Sequence, residues 1–187
     1  MWRHLNQLPA EQRSALHAAM NILAAWDVPT FMHSEQVARH LLVFAPAGEE
    51  EAWFWAGLLH DIGKMLIPYD VLHKRGKLTR REREIMQQHP LQGAHLLEQI
   101  GAPQVVIDGA HYHHERWDGT GYPHDIGEKQ VPYVARVLAV ADAYTALTDG
   151  RPYRAALSQR EARTEIEQHA GTQFDPHVVR NFFRVIC

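Results

Sequence analysis

The amino-acid sequence predicts an all-α protein that folds as a single helical bundle of about eight helices. Signals for helix starts and ends recur along the whole chain, and no convincing alternation of apolar and polar residues competes with them. One segment, residues 50–64, is apolar almost all round, as is typical of a helix in the middle of a bundle. The length of 187 residues fits one domain, so we expect residues 1–187 to share one core.

In the first half of the chain, prolines and capping residues mark the helix boundaries. Thr79 and Glu82 have the spacing of a capping box, which opens a helix. Pro90 disfavours the helical conformation in the residue before it, so this helix should end around His89. The helices predicted in this half cover approximately residues 8–25, 33–44, 50–64 and 79–89.

The second half continues the helical pattern and contains one long irregular segment. Pro103 and Pro132 suit the first position of a helix, and Ser158 with Glu161 forms another capping box. The predicted helices run approximately over residues 91–100, from 103 to the histidines near 113, 132–148, 158–171, and 175 to the end. Residues 115–131, rich in Gly and Pro, are long for a connection, and connections of this length are often functional.

Composition limits the classes of partner. The 19 basic and 22 acidic side chains leave no basic excess for binding along a nucleic-acid polymer. The longest apolar run, residues 52–59, is much shorter than the roughly 20 residues of a membrane helix. Residues 1–13 lack the apolar core of a secretory signal, and Cys187, the single cysteine, cannot form an intramolecular disulfide. We therefore expect a cytoplasmic protein that binds neither membrane nor nucleic-acid polymer.

The sequence has 14 histidines, which favours a metal site because imidazole is the commonest metal ligand in proteins. Five groups of candidate ligands follow one another at intervals of 24 to 29 residues. Each interval is about one bundle helix plus its connection, so the groups can converge between helices. The candidates are His33, His60 with Asp61, His89, His113 with His114, and Asp142.

Five imidazoles and two carboxylates without a thiolate suit iron, manganese or zinc. A carboxylate can offer one oxygen to each of two metals, whereas a neutral imidazole offers a single lone pair, so Asp61 is the candidate bridge. Two metal ions a few ångströms apart can activate a water molecule and clamp the oxygens of a phosphoryl centre. The constellation is therefore compatible with metal-assisted chemistry at a phosphoryl centre, in which Asp61 would have a catalytic role.

Two motifs resemble the HD-GYP family closely. Residues 60–64 read HDIGK, and residues 113–123 match the family's HHExxDGxGYP signature throughout. Shorter similarities occur at Ala141-Asp142, at residues 151–154 and at residues 174–176. The resemblance covers about residues 31–187 as a metal-dependent phosphohydrolase core and leaves the N-terminal helix, residues 1–30, outside it.

The resemblance implies a helical HD-domain core in which the seven candidates hold two divalent metal ions, most commonly iron or manganese. It implies hydrolysis of the cyclic dinucleotide cyclic di-GMP to linear pGpG and in some members onward to GMP, and some members act on cyclic GMP-AMP. The family's GYP loop has also been linked to partner proteins that synthesise cyclic di-GMP.

Several further residues are candidates for substrate contacts. Lys64 lies four residues after His60, which would place its ammonium beside the metals and a phosphate, in a catalytic and a binding role. Arg151 and Arg154 could grip a second phosphate, with solvated surface charges as the alternative. Trp117 and Tyr122 could stack on a guanine base, with fixing of the loop to the domain as the alternative.

Two departures from the family pattern bear on the mechanism. Pro29 stands where three-metal members carry a glutamate ligand, so we expect two metals, unless Asp27 substitutes. Thr145 stands where many members have a second aspartate, which bears on turnover. The alternatives to the phosphodiesterase are a binding module that signals through its GYP loop, and an HD phosphohydrolase acting on another nucleotide such as cyclic GMP-AMP.

Overall fold

The computed structural model describes residues 6–149 and 156–186, and these residues form helices and connections without any β-strand. The predicted all-α class is confirmed. The α-helices of the described ranges are α1 (Ala10–Trp26), α2 (Val28–Leu41), α3 (Glu50–Leu59), α4 (Tyr69–Leu72), α5 (Arg80–Met86), α6 (His89–Gln99), α7 (Gln104–Tyr112), α8 (Tyr133–Thr148), α9 (Gln159–Gln168) and α10 (Pro176–Val185). Short 3₁₀ segments cover Leu42–Phe44, Ile62–Leu66 and Glu128–Gln130.

Helix α3 lies in the centre of the bundle, as its all-round apolar sequence predicts. It packs between α2 and α7, and every residue from Glu51 to Leu59 is buried. Trp53 belongs to a core cluster shared with α8, α9 and α10, whereas Trp55 belongs to a second cluster shared with α1, α6 and α7. Because its two tryptophans lie in different clusters, this helix joins the two halves of the core. Burying a large apolar side chain of this kind contributes about 1.5–3 kcal/mol.

The predicted capping residues are found at the predicted helix starts. Thr79 with Glu82 and Ser158 with Glu161 each form a reciprocal capping box, at the starts of α5 and α9. The Asp175 side chain accepts hydrogen bonds from the first-turn backbone of α10. These caps satisfy backbone N–H groups that have no partner inside a helix.

Three predicted boundaries were wrong, and local chemistry explains each. Helix α2 begins at Val28 and not near His33, because Asp27 caps it and a proline at its second position needs no hydrogen-bond partner. Helix α3 ends at Leu59 and is followed by the 3₁₀ segment, where an α-helix to Lys64 was expected. Helix α5 ends at Met86, and His89 instead starts α6, since Pro90 is tolerated in a first helical turn.

The connection from α7 to α8 contains only one 3₁₀ turn and folds onto the turn between α9 and α10. The backbone N–H groups of Trp117 and Asp118 donate to the carbonyls of Gln173 and Thr172, at 3.2 and 2.9 Å. Gly121 lies so close to the backbone of its own loop that an added Cβ would be 2.5 Å from the Arg116 nitrogen. This packing holds the loop against the end of the helices that carry the candidate ligands.

No helix in the described part of the chain is long and apolar enough to span a bilayer.

Candidate metal centre

The seven candidate ligands from five separate positions in the chain lie side by side. One group of potential ligand atoms, within 4.8 Å of one another, comes from Asp61, His89, His113 and His114. A second such group comes from His33, His60 and Asp61. The Asp142 Oδ1 atom lies 2.8 Å from His33 Nε2, which brings the last candidate to the second group. Asp61 is the residue that the two groups share.

Helix ends and distorted segments position these side chains. Neighbouring residues of an α-helix point about 100° apart, so an undistorted helix cannot direct two adjacent side chains into one site. His60 and Asp61 follow the last residue of α3, and His113 and His114 follow the last residue of α7. His60 and His113 keep αR backbone angles, and after α3 the backbone departs from them at Asp61. The ends of these helices therefore allow each pair to face the same site.

Three of the histidines are held by the same kind of hydrogen bond. The Nδ1 atoms of His60, His89 and His113 lie 2.7, 2.7 and 2.9 Å from a backbone carbonyl three residues earlier. A carbonyl can only accept, so each Nδ1 carries the proton and donates it. The acceptors are Gly57, Met86 and Ala110. This arrangement leaves each Nε2 with a free lone pair facing the site, as in metal-binding histidines generally.

Several buried lone pairs of the site face one another without a proton to form a hydrogen bond. His89 Nε2 lies 3.3 Å from His113 Nε2, and neither atom has a proton to give in this tautomer. Within the described ranges, the buried His60 Nε2 and Asp61 Oδ1 atoms also lack a hydrogen-bond partner. Buried lone pairs of this kind are costly unless they bind a cation. The nitrogen and oxygen donor set, free of thiolate, fits divalent metal ions.

The protonation states favour metal binding. Burial alone would raise the pKa of Asp61, but the Lys64 ammonium and His60 outweigh it and hold this pKa well below its usual value. Burial lowers the pKa of His113 to about 4 and that of His114 well below its usual value. Burial also acts to lower the pKa of His60, but the charge of Asp61 reverses the shift and raises it. At neutral pH the carboxylate is charged and the two adjacent imidazoles are neutral, as metal ligands must be.

A cavity of about 430 Å³ opens beside the candidate ligands, and its lining includes Gln87, His113, His114, Arg116, Tyr122 and Asp142. The Tyr122 ring stacks on His114, with centroids 4.7 Å apart and an interplanar angle of 23°. Burial raises the pKa of Tyr122, so its hydroxyl stays protonated. Lys64 lies at the metal site, with Nζ 2.5 Å from Asp61 Oδ2.

The other sequence-predicted residues lie in different surroundings. Trp117 lies against the Arg136 guanidinium, 5.9 Å from the ring centroid, and Arg136 is ion-paired with the buried Asp175. This contact is the one expected of a loop anchor. Arg151 and Arg154 fall outside the described residues.

Two positions noted as departures from the family pattern also have defined surroundings. The Asp27 carboxylate caps α2: its Oδ2 atom accepts hydrogen bonds from the backbone N–H and from the hydroxyl of Thr30, at 3.1 and 2.5 Å. Thr145 is buried one turn after Asp142, and its hydroxyl has no hydrogen-bond partner among the described residues.

Sequence reasoning did not single out Glu115 and Arg116, which also line the cavity. The Glu115 carboxylate is buried and accepts the backbone N–H of His124 at 2.6 Å. Both residues lie within the signature of residues 113–123. A charged side chain directly after two candidate ligands was the signal that could have identified them.

Comparisons with known proteins agree with this geometry. Residues 15–178 match the family model described as HD domain. The chain is 40% identical over 169 residues to "Cyclic di-GMP phosphodiesterase PA4108" of Pseudomonas aeruginosa, covering 86% of this chain and 40% of that protein. It is 38% identical over 146 residues to "3'3'-cGAMP-specific phosphodiesterase 1" of Vibrio cholerae, covering 75% of this chain and 34% of that protein. The chain thus spans less than half the length of these relatives.

A solved structure shows the same fold. Bd1817, an HDG"Y"P protein from Bdellovibrio bacteriovorus, superposes with a TM-score of 0.66 at 18% identity, covering 94% of this chain and 62% of that one. The family model matches residues 15–178, and the fold and the signature of residues 113–123 agree with it. The chain therefore belongs to the HD domain family, in its HD-GYP group.

Proposed function

We propose that this chain is a metal-dependent phosphodiesterase that hydrolyses cyclic di-GMP to linear pGpG. The observation that carries the proposal is the pair of ligand groups that share Asp61 at one edge of a cavity. A carboxylate between two sets of imidazoles is an arrangement suited to holding two divalent ions close together. The relative from Pseudomonas aeruginosa, whose name states this activity, supports the choice of substrate.

In this proposal, His33, His60, Asp61 and Asp142 hold one ion, and His89, His113, His114 and the shared Asp61 hold the other. Iron or manganese suits this set of imidazoles and carboxylates. When bound, the two ions would supply a water of lowered pKa and neutralise charge that develops on the phosphoryl group.

The chain's own residues orient this centre. The three Nδ1–H bonds to backbone carbonyls fix the histidine rings, and Tyr122 packs on His114 to limit its rotation. Lys64 forms an ion pair with Asp61, and from this position its ammonium can also contact a phosphate of the substrate. Arg151 and Arg154 are proposed to bind the second phosphate of the cyclic dinucleotide by bidentate hydrogen bonds.

One alternative function is supported by a relative, and the site argues against the other. Hydrolysis of cyclic GMP-AMP is supported by the similarity to the Vibrio cholerae phosphodiesterase named for that substrate. A binding module that contacts cyclic di-GMP-synthesising proteins through residues 115–131 would have no need of seven converging candidate ligands. The cytoplasm is the proposed location, in keeping with a single cysteine and the absence of any disulfide within the chain.

The proposal is tested by incubating anaerobically purified protein, loaded with manganese or iron, with cyclic di-GMP, cyclic GMP-AMP or cyclic di-AMP. Products are separated by anion-exchange chromatography. We expect pGpG from cyclic di-GMP, and none from the Asp61→Asn variant. Two bound metal ions per chain without hydrolysis of any of the three compounds would favour the binding module.

A further inference from the structure

Arg116 has one edge of its guanidinium fixed and lines the cavity beside the candidate ligands. Its Nε atom donates to Asp118 Oδ1 and to Thr120 Oγ1, at 3.1 and 3.0 Å, and its Nη2 atom donates to Asp118 Oδ2 at 2.9 Å. The same cavity is lined by His113, His114 and Asp142. The plane of the guanidinium is therefore set by Asp118 next to the proposed reaction site.

The opposite edge of the guanidinium has hydrogen-bond donors to spare. An arginine has five N–H groups in a fixed plane and no acceptor. Among the residues that the structure describes, none accepts a hydrogen bond from Nη1 of Arg116, and Nη2 uses one of its two N–H groups on Asp118. The side chain is 31% exposed, so this edge is open to a ligand. It offers two parallel donors to a partner with two adjacent acceptors.

The charge of Asp118 determines which partner fits. The hydrogen bonds from Arg116 and Thr120 hold the pKa of Asp118 well below its usual range, so the carboxylate is ionised and neutralises the guanidinium. A phosphate bound to Arg116 would stand near this negative charge, which weakens its attraction. An uncharged group with two acceptors loses nothing from the neutralisation and still gains both directional bonds.

We propose that Arg116 recognises a guanine base of the substrate through the O6 and N7 atoms. Guanine presents two acceptors on this edge, whereas adenine presents N7 and an amino group that donates. A guanidinium, which only donates, therefore pairs with both guanine atoms and opposes the amino group of adenine. The inference rests on the proposed function for its substrate class, since it assigns the base preference of the same site.

The test exchanges the donor-only side chain for one that donates and accepts. A glutamine pairs bidentately with the N6 and N7 atoms of adenine, so Arg116→Gln should reverse the preference. Affinities of the manganese-loaded protein for GMP and AMP, which differ only in the base, are measured by calorimetry. The ratio of kcat/KM for cyclic di-GMP and cyclic di-AMP is measured in parallel. We expect wild type to prefer guanine. Arg116→Gln should lower both the ratio of the affinities for GMP and AMP and the ratio of kcat/KM for cyclic di-GMP and cyclic di-AMP, by on the order of ten- to a hundred-fold.

Two further variants make the outcome specific. Asp118→Asn replaces one of the two acceptor oxygens by an amide that donates, so it loosens the fixed edge while keeping Arg116, and it should lower the guanine preference by a smaller factor. Arg163→Gln removes an arginine that is also ion-paired to a carboxylate, Glu167, but lies on the surface of α9 outside the cavity lining, and it should leave both ratios unchanged. Metal content and melting temperature should match wild type in all three variants.

The results separate this inference from the proposed function. An unchanged ratio in Arg116→Gln, or an equal loss of affinity for GMP and AMP, would overturn the role in base recognition while leaving the hydrolytic activity in place. A guanine preference that depends on Arg116 in a protein that hydrolyses no cyclic dinucleotide would uphold the base contact and refute the phosphodiesterase.

Discussion

His89 Nε2 lies 3.3 Å from His113 Nε2, although each ring donates its Nδ1 proton to a backbone carbonyl. Two lone pairs at this separation repel unless a cation lies between them or beside both. The carbonyl bonds thus do more than hold the rings in place, because they fix the tautomer that a metal ligand requires. Asp61 Oδ1, 3.3 Å from the same His89 atom, adds the negative charge.

Asp61→Asn should remove both activity and metal. The amide keeps the shape of the side chain but loses the charge and the second coordinating oxygen that a bridge requires. We expect fewer than two metal ions per chain by plasma emission spectrometry and a loss of at least about a hundred-fold in kcat for cyclic di-GMP. Asp70→Asn, at an exposed position on α4, is the matched control and should behave as wild type. Full activity with two metals in Asp61→Asn would refute the bridging role.

Gly63→Ala should displace His89 through the backbone. An added Cβ would lie 2.0 Å from the His89 carbonyl oxygen and 2.5 Å from the Gly93 nitrogen, so α6 must move. We expect a loss of about 1–3 kcal/mol in the free energy of unfolding by urea, and reduced metal content. In Gly109→Ala the nearest atom is the Ala56 methyl group at 3.1 Å, so the effect should be smaller. Equal effects of the two substitutions would show that the close approach at Gly63 is unimportant.

The metal-free protein should lose stability as the pH falls from about 6.5 toward 4. Burial lowers the folded pKa of His113 to about 4, so in this range the unfolded chain binds more protons than the folded one. His114 acts in the same direction, whereas His60, with a raised pKa, opposes it. Stabilisation from the lowered pKa of Asp61 is lost only below its unfolded pKa, and so below this window.

Melting temperatures in the presence of a chelator at pH 7, 6 and 5 test this linkage. His113 alone would contribute roughly 3 kcal/mol across the full shift. His113→Gln should flatten the pH dependence, while the control His169→Gln, at an exposed position, should leave it unchanged. A melting temperature that rises toward pH 5 would show that His60 outweighs the other two histidines.

Trp117→Ala should loosen the loop of residues 115–131. The ring packs on Arg136, and cation–π contacts of this kind contribute about 0.5–2 kcal/mol. We expect a lower melting temperature and faster proteolysis within the loop, with Trp117→Phe close to wild type. Tyr69→Ala, at a side chain 77% exposed, is the control and should leave both unchanged. A raised KM for cyclic di-GMP in Trp117→Phe at unchanged stability would instead support stacking on a base.

The spacing of the candidate ligands and their chemistry were enough to predict which seven side chains lie together. Intervals of about one helix plus its connection allow successive groups to meet at one end of a bundle. The capping boxes likewise predicted α5 and α9, since their partners are only three residues apart. The end of α3 at Leu59 could not be predicted in this way. The 3₁₀ segment that follows brings Gly63 against the backbone of α6, a contact between residues that are distant in sequence.

The hydrogen bonds of Arg116 were also beyond reach of the sequence, for a related reason. Two carboxylates, Glu115 and Asp118, lie one and two residues from Arg116 in the chain, and only the course of the loop decides that the more distant Asp118 pairs with the guanidinium and that Glu115 is buried. The contact of Asp27 with Thr30, by contrast, spans only three residues, so the role of Asp27 as the cap of α2 was within reach of the sequence.

Anomalous scattering from crystals of manganese-loaded protein tests the central claim most directly. We expect two peaks about 3.5–4 Å apart, joined by Asp61, one beside His33 and His60 and the other beside His89 and His113. A third ion held by protein side chains is not expected, because Pro29 has no ligand atom and Asp27 is engaged in capping α2. A single peak, or a well-occupied third peak with protein ligands, would contradict the account.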